Sequence, residues 1–142
     1  MNLKKIDHVG ILVKNIESAL KFYQERLGLP LHLLEENEEF KVRIAFLPVG
    51  EVMVELVEPL EGSPLESLLR EKGEGIHHIA FEVDNLKASL EELKSKRVPL
   101  RDAQPRLGGE GALVAFLETT AANNVLIELK EKRPEEHARS NT

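Results

Sequence analysis

The fold is decided by two stretches that match each other, VMVELVE at residues 52–58 and VLIELKE at residues 125–131. Each is an apolar run with the length and β-branched content of a buried strand, and each carries one glutamate at its centre. A second matching pair, IDHV at 6–9 and IHHI at 76–79, places a histidine on an apolar strand. The chain therefore contains two copies of one unit, each of which begins with a histidine strand and ends with a glutamate strand.

The repeat continues through the elements between these strands. At an offset of 70 residues, residues of the first half match identical residues of the second half. The matching pairs are Ile6 and Ile76, His8 and His78, Val13 and Val83, Asn15 and Asn85, and Leu20 and Leu90. The offset becomes 73 where Glu55 falls on Glu128. In the first half, apolar spacing predicts strands at 5–13, 31–36, 41–47 and 52–58, with a helix over 16–27. In the second half it predicts strands at 76–83, 97–102, 112–118 and 124–130, a helix after Asn85 and a glycine loop at 103–111.

These elements predict an α+β fold of two tandem β-α-β-β-β modules within one domain, residues 1–132. Module one spans about residues 5–58 and module two about residues 76–130. The connector, 59–75, contains a short helix that begins at Ser63-Pro64. The polar tail, 133–142, is expected to be disordered.

Composition excludes several classes of protein. The 142 residues are 42% hydrophobic and 31% charged, which is typical of a globular protein with a core of its own. No run approaches the ~20 apolar residues of a membrane span, and the net charge of −6 argues against a nucleic-acid partner. The chain has no cysteine, and its N-terminus leads directly into a strand, so we expect no signal peptide and a cytoplasmic location.

The repeated histidines and glutamates, His8, Glu55, His78 and Glu128, are the candidate metal ligands. A carboxylate within an apolar strand is costly to bury unless it is paired or bound to a metal. A single strand histidine is more often a hydrogen-bonded core residue, and a single strand glutamate usually faces solvent. The duplication of both residue types at equivalent points favours ligands. Two imidazoles and two carboxylates suit Co²⁺, Mn²⁺, Ni²⁺, Fe²⁺ or Zn²⁺ better than Ca²⁺.

The other histidines receive a structural or surface assignment. Strand alternation turns His77 away from His78, and neither His32 nor His137 belongs to the repeated pattern.

At these residues the sequence resembles the vicinal oxygen chelate superfamily and, within it, the methylmalonyl-CoA epimerases. The resemblance covers about residues 5–130. It is carried by IDHVGI (6–11), AFLPVG (45–50), VELVEPL (54–60), GIHHIAFEVDN (75–85) and VLIEL (125–129). It implies two modules side by side that form a curved, eight-stranded mixed sheet around a metal site, and a homodimer. By resemblance, His8, Glu55, His78 and Glu128 take the four metal positions, with Co²⁺ as the first choice of ion. In some members of the family glutamine replaces the glutamate at the second position.

The resemblance also implies a reaction, the epimerisation of methylmalonyl-CoA through a metal-stabilised enolate. The α-proton lies between a thioester and a carboxylate, so its removal requires stabilisation of the developing negative charge. One group removes the proton from one face and a second group returns a proton to the other. Glu128 is the residue that the resemblance assigns to one of these proton transfers, on an acyl-CoA substrate.

Two departures from the family pattern bear on that reaction. Arg43 stands where some members carry a second glutamate, and it is a hypothetical partner for the substrate carboxylate or a surface arginine. Glu118-Thr119-Thr120 replaces a His-Pro-Lys turn of many members, which bears on the acyl-CoA that is bound. The glycine loop at 107–111 would let backbone amides approach a substrate, or is a flexible turn.

Three other functions compete with the epimerase. A glyoxalase I-type lyase acting on a hemithioacetal uses the same four positions, but the arginine that such enzymes often carry after the first histidine is replaced by Leu12-Val13-Lys14. A dioxygenase would need open coordination positions on iron, and a fourth ligand at Glu55 would leave fewer of them. A non-catalytic small-molecule binding protein of this fold would not need the ligands at all. Fold alone does not separate these functions.

Overall fold

A computed structural model describes residues 1–133 of the chain. The predicted disorder of the tail lies, except at Arg133, outside the described residues, as does the assignment of His137. Among residues 1–133, no helix is long and apolar enough to cross a membrane.

Within residues 1–133, eight strands form one hydrogen-bonded mixed sheet in the order β2-β3-β4-β1-β5-β8-β7-β6. Three α-helices accompany the strands, which confirms the predicted α+β class and the eight-stranded mixed sheet. The strands are β1 (Ile6–Leu12), β2 (Leu33–Asn37), β3 (Val42–Val49), β4 (Val52–Pro59), β5 (Gly75–Val83), β6 (Arg106–Leu107), β7 (Leu113–Phe116) and β8 (Ile127–Glu131); the helices are α1 (Ile16–Leu20), α2 (Leu65–Lys72) and α3 (Leu86–Ser95).

The two halves use the same strand pairing, which confirms the β-α-β-β-β repeat. In the first half β1 is parallel to β4, and β3 pairs antiparallel with both β4 and β2. In the second half β5 is parallel to β8, and β7 pairs antiparallel with both β8 and β6. A parallel pair needs a crossover through other elements, and each half supplies one through a helix and two strands.

The chain divides into two compact units. One unit is His8–His78, and the other consists of Met1–Asp7 together with the chain from Ile79. The boundaries fall inside β1 and β5. The single domain over residues 1–132 stays a prediction.

In the unit His8–His78, both faces of the sheet are apolar. On one face Ala45, Leu47 and Leu56 pack with Ile16 of α1. On the other face Ile44, Phe46 and Val57 pack with leucines of α2. Alternation along β3 and β4 explains this division, because successive side chains point to opposite faces. The face that contacts α2 is the face that carries Glu55, since Phe46 is the direct cross-strand partner of Glu55.

In the other unit, one face of the sheet packs against α3. Leu86, Leu90 and Leu93 of this helix contact Leu129 of β8 and Ala115 of β7. The opposite face carries Glu128, because Glu128 and Leu129 are successive residues of one strand. The leucine spacing that predicted the helix is therefore the spacing of its buried face.

Helices α1 and α3 begin where the sequence predicts, and α2 begins at Leu65, one residue later than predicted. Asn15 accepts a hydrogen bond from the backbone N–H of Ser18 at 2.9 Å, and Asn85 accepts one from Ala88 at the same distance. After Leu20 the first helix continues as a π-helical turn, Lys21–Arg26, so the helical segment matches the predicted extent of 16–27 closely. Gly28 follows with a φ of 77°, the left-handed conformation that terminates helices.

The predicted strand at 97–102 is wrong, and a strand forms instead at β6 inside the predicted glycine loop. Pro99 has no N–H to donate, so this segment makes only one isolated bridge, Leu100 with Leu117. The backbone N–H groups of Arg101 and Asp102 both donate to the carbonyl oxygen of Phe116 at 3.0 Å, and the Asp102 carboxylate accepts a hydrogen bond from the backbone N–H of Phe116 at 2.9 Å. The tight turn at Gly109–Gly111 then reverses the chain and brings β6 beside β7.

The cap at Asn85 gives a first testable prediction. Replacing the side-chain acceptor, Asn85→Ala, should lower the free energy of unfolding by about 1 kcal/mol, because the Ala88 N–H at the helix start loses its partner. Urea unfolding followed by circular dichroism measures this loss. Asn85→Asp is the control, since its carboxylate keeps an acceptor at the same position. A similar loss in both variants would contradict the capping role.

Candidate metal centre

His8 and Glu55 are brought together by strand register. Gly10 of β1 is the direct partner of Glu55 on β4, and His8 lies two residues before Gly10 on the same face. On the other side of β4, Glu55 is opposite Phe46 of β3. The glutamate thus lies between a glycine and a phenylalanine, with the histidine as its diagonal neighbour.

Glu128 has the same register in the other unit. Its partner on β5 is Ala80, two residues after His78, and its partner on β7 is Phe116. Phe46 and Phe116 are related by the same offset of 70 as His8 and His78. The two glutamates are therefore equivalent in strand pairing as well as in sequence, which is independent support for the duplication.

Within the unit His8–His78, three of the four predicted ligands are in contact. The Nε2 atoms of His8 and His78 are 3.0 Å apart, and Nδ1 of His8 is 3.1 Å from Oε2 of Glu55. The two imidazole planes are nearly perpendicular, at 89°. Glu128 belongs to the other unit. All four residues are buried, with exposed fractions of 3% for His8, 7% for Glu55, 6% for His78 and 5% for Glu128.

This arrangement fits a divalent metal ion. His8, Glu55 and His78 are among the buried residues that could hold a metal ion. Two nitrogens bound at about 2.1 Å in adjacent positions of an octahedral ion are about 3.0 Å apart, which is the separation of the two Nε2 atoms. The imidazole and carboxylate donor set suits a first-row transition metal, as the sequence predicts.

The His8 imidazole uses both of its nitrogens, Nε2 toward His78 and Nδ1 toward Glu55. One imidazole ring offers one lone pair to a given ion, so it coordinates through one nitrogen and keeps the other for an outer partner. Coordination of His8 and His78 through their facing Nε2 atoms would leave Glu55 to orient His8. For Glu55 to join them as a ligand, its carboxylate must exchange the contact with Nδ1 for one with the ion.

The Arg43 side chain lies away from these residues. Arg43 and Phe46 have opposite parity on β3, so Arg43 belongs to the face of α1 and not to the face of Glu55. Its guanidinium donates to Glu17 of α1 at 2.8 Å, and this hydrogen bond is the main cause that lowers the pKa of Glu17. Glu58 is a second, longer partner at 3.9 Å. The hypothesis that Arg43 holds a substrate carboxylate is therefore not supported.

His77 differs from its sequence-based assignment. Strand alternation predicts that it points away from His78, yet Nδ1 of His77 is 2.8 Å from Nδ1 of His78. The two rings are perpendicular, with centroids 5.0 Å apart. His78 therefore contacts His77 through Nδ1 and His8 through Nε2.

A buried ion pair was also missed by sequence reasoning. Asp7 of β1 accepts a hydrogen bond from Nζ of Lys130 at 3.0 Å, and both side chains are largely buried. On β8, Lys130 shares a face with Glu128, and its partner in β5 is the buried Glu82. The only signal in the sequence is a charged residue within each apolar strand, which is too general to predict the pair.

Residues 7–116 match the Glyoxalase/Bleomycin resistance protein/Dioxygenase superfamily. The chain belongs to this superfamily. Two of its relatives are the uncharacterized protein YqjC of Bacillus subtilis, 41% identical over 95% of this chain and 97% of YqjC, and the human mitochondrial methylmalonyl-CoA epimerase, 34% identical over 92% of this chain and 75% of the human protein.

Solved structures of methylmalonyl-CoA epimerases are also similar to this chain. A variant of Streptomyces coelicolor methylmalonyl-CoA epimerase in complex with 2-nitronate-propionyl-CoA has a TM-score of 0.88 and is 32% identical, over 94% of this chain and 97% of that chain. A lactoylglutathione lyase of Salmonella typhimurium is 30% identical over 87% of this chain and 92% of the lyase. The human and Streptomyces coelicolor epimerases confirm the resemblance to methylmalonyl-CoA epimerases within the superfamily.

Proposed function

We propose that this protein is a metal-dependent epimerase of methylmalonyl-CoA. The observation that carries the proposal is the similarity to methylmalonyl-CoA epimerases over more than nine-tenths of the chain. The buried histidine and glutamate contacts support it, because removal of an α-proton needs a group that stabilises negative charge. The homodimer and the cytoplasmic location predicted from the sequence belong to the same proposal.

His8, Glu55, His78 and Glu128 are the proposed ligands of the metal ion. The contacts of His8 with His78 and Glu55 support the first three, and the equivalent strand register of Glu128 supports the fourth. Co²⁺ is the first choice, with Mn²⁺, Ni²⁺, Zn²⁺ and Fe²⁺ as alternatives. A bound divalent ion supplies Lewis-acid stabilisation of the charge that develops on the substrate oxygens.

Glu128 is the proposed acid/base residue for one face of the α-carbon. The bond between the α-carbon and its hydrogen breaks, the electron pair stays on the substrate as an enolate, and the proton moves to the carboxylate oxygen of Glu128 that does not bind the ion. A second group then donates a proton to the opposite face of the α-carbon, which converts the enolate to the other epimer. Because Arg43 faces α1, it has no part in either proton transfer in this proposal.

The lyase is the second candidate function, since a lactoylglutathione lyase is among the relatives. The positions where such lyases often carry an arginine are occupied here by Leu12, Val13 and Lys14. Leu12 and Val13 are buried in the two apolar clusters of their unit, so they present no charged group to a substrate. The absence of an arginine at these positions counts against the lyase.

Hydrogen–deuterium exchange at the α-carbon of methylmalonyl-CoA tests the proposal. The protein, loaded with Co²⁺, should incorporate deuterium from D₂O and racemise the substrate, and removal of the metal with a chelator should abolish both. Proton NMR of the substrate follows the exchange, and re-addition of Co²⁺ to the chelated protein is the control for irreversible damage. A folded, metal-loaded protein that catalyses no exchange would overturn the epimerase proposal, and turnover of a hemithioacetal would then favour the lyase.

A further inference from the structure

The His78 imidazole lies directly over Gly10. A Cβ atom built on Gly10 would be 2.1 Å from Cε1 of His78, 2.5 Å from its Nδ1 and 2.7 Å from its Nε2. These distances are shorter than any contact that a real side chain could make. The position therefore excludes every residue except glycine while the His78 ring keeps its place.

Backbone conformation does not explain this glycine. Gly10 lies in the middle of a regular strand and is not among the residues with positive φ. A strand interior normally disfavours glycine, because glycine loses more conformational freedom and offers no side chain to pack. The equivalent residue in the second half, Ala80, has a methyl group at the same point of the strand pairing. The two modules thus differ where the first must accommodate an imidazole ring.

His77 contacts the same ring from another direction. Its Nδ1 lies 2.8 Å from Nδ1 of His78, so a hydrogen bond occupies the nitrogen of His78 that is remote from His8. Ligand histidines in metal sites are usually oriented by such a bond to the second ring nitrogen, and loss of the partner typically weakens metal binding by roughly 10–100-fold.

We propose that Gly10 and His77 are positioning residues that together hold the His78 ring for metal binding. Gly10 provides the space in which the ring lies, and His77 binds Nδ1 so that Nε2 points toward Nε2 of His8. Neither residue is a ligand or a catalytic residue. The inference rests on the proposed function, because it concerns His78 in its role as a ligand.

The first experiment tests the space that Gly10 provides, with a thermodynamic cycle on the metal-free protein. Gly10→Ala should lower the melting temperature by about 5 °C or more, since the added methyl group collides with the ring. In a His78→Ala background the collision partner is gone, so Gly10→Ala should leave the melting temperature unchanged or raise it. An equal loss in both backgrounds would overturn the role of Gly10, because its cause would then be independent of His78.

The second experiment tests the orientation that His77 provides, with Co²⁺ titrations monitored by calorimetry and by the visible absorption of the bound ion. His77→Phe keeps a planar ring without the Nδ1 atom and should weaken Co²⁺ binding by about 10-fold or more, with an altered absorption band. His77→Asn places an amide atom near the position of Nδ1 and should restore much of the affinity and the wild-type band. Unchanged affinity and an unchanged band in His77→Phe would overturn the role of His77.

The design separates this inference from the proposed function. If the wild-type protein binds Co²⁺ but does not exchange the α-proton of methylmalonyl-CoA, the epimerase proposal fails while the positioning role is still measured by metal affinity. If the wild-type protein catalyses exchange, but His77→Phe binds Co²⁺ as tightly as it does and Gly10→Ala destabilises both backgrounds equally, the positioning role fails while the epimerase proposal stands.

Discussion

Glu128→Gln is expected to fold normally and to lose about 10²–10⁴-fold in the rate of α-proton exchange, because a carboxamide cannot accept the proton from the substrate. The change is nearly isosteric, and it keeps an oxygen that can still approach a metal ion. Melting temperature and Co²⁺ affinity, measured with the exchange rate, separate a folding or binding defect from a chemical one. Exchange is compared at saturating metal, so that weaker binding does not lower the rate.

Glu55→Gln is the matched control for this variant. The substitution is the same, and the residue has the equivalent register, opposite Gly10 and Phe46 where Glu128 is opposite Ala80 and Phe116. The sequence resemblance implies that glutamine is an acceptable ligand at this position, so Glu55→Gln should keep most of its exchange activity at saturating metal. Near-normal exchange by Glu128→Gln, or an equal loss in both variants, would remove Glu128 as the specific acid/base residue.

His8→Ala is expected to abolish metal-dependent exchange and to weaken Co²⁺ binding by at least about 100-fold, since loss of a ligand should cost no less than loss of an outer partner. His8 contacts both His78 and Glu55, so its removal takes away one ligand and the imidazole that links the other two. Isothermal titration with Co²⁺ measures the affinity, and proton NMR measures the exchange.

His32→Ala is the control, because His32 is exposed and lies outside the repeated pattern. It should bind Co²⁺ and catalyse exchange as the wild-type protein does. A His8→Ala protein that still binds Co²⁺ with wild-type affinity would exclude His8 from the ligand set.

The repeat could be predicted from the sequence because its signals are local. Asn15 and Asn85 mark the helix starts, and apolar periodicity marks the strands and the buried face of α3. The two glutamates could be paired as equivalents because each is the central carboxylate of an apolar strand. The structure then showed that they also share a strand register.

The strand at 97–102 could not be placed in this way. Its apolar residues resemble those of a strand, but Pro99 cannot donate, and Asp102 bonds to the backbone of β7. The neighbouring glycine segment, which reads as a loop, closes a hairpin because β7 lies beside it. Whether a short segment pairs depends on the strand that it meets, and that strand is distant in sequence.

The sequence alone therefore determined the α+β class, the duplication and the four candidate ligands, since each follows from residue type and spacing along the chain. Only the tertiary structure decided that Arg43 faces α1, that His8 contacts Glu55 through Nδ1 and His78 through Nε2, and that His77 bonds to His78. It alone also showed that Gly10 makes room for His78. The physical reason is that strand pairing sets which rings meet, and packing sets which nitrogen each ring presents.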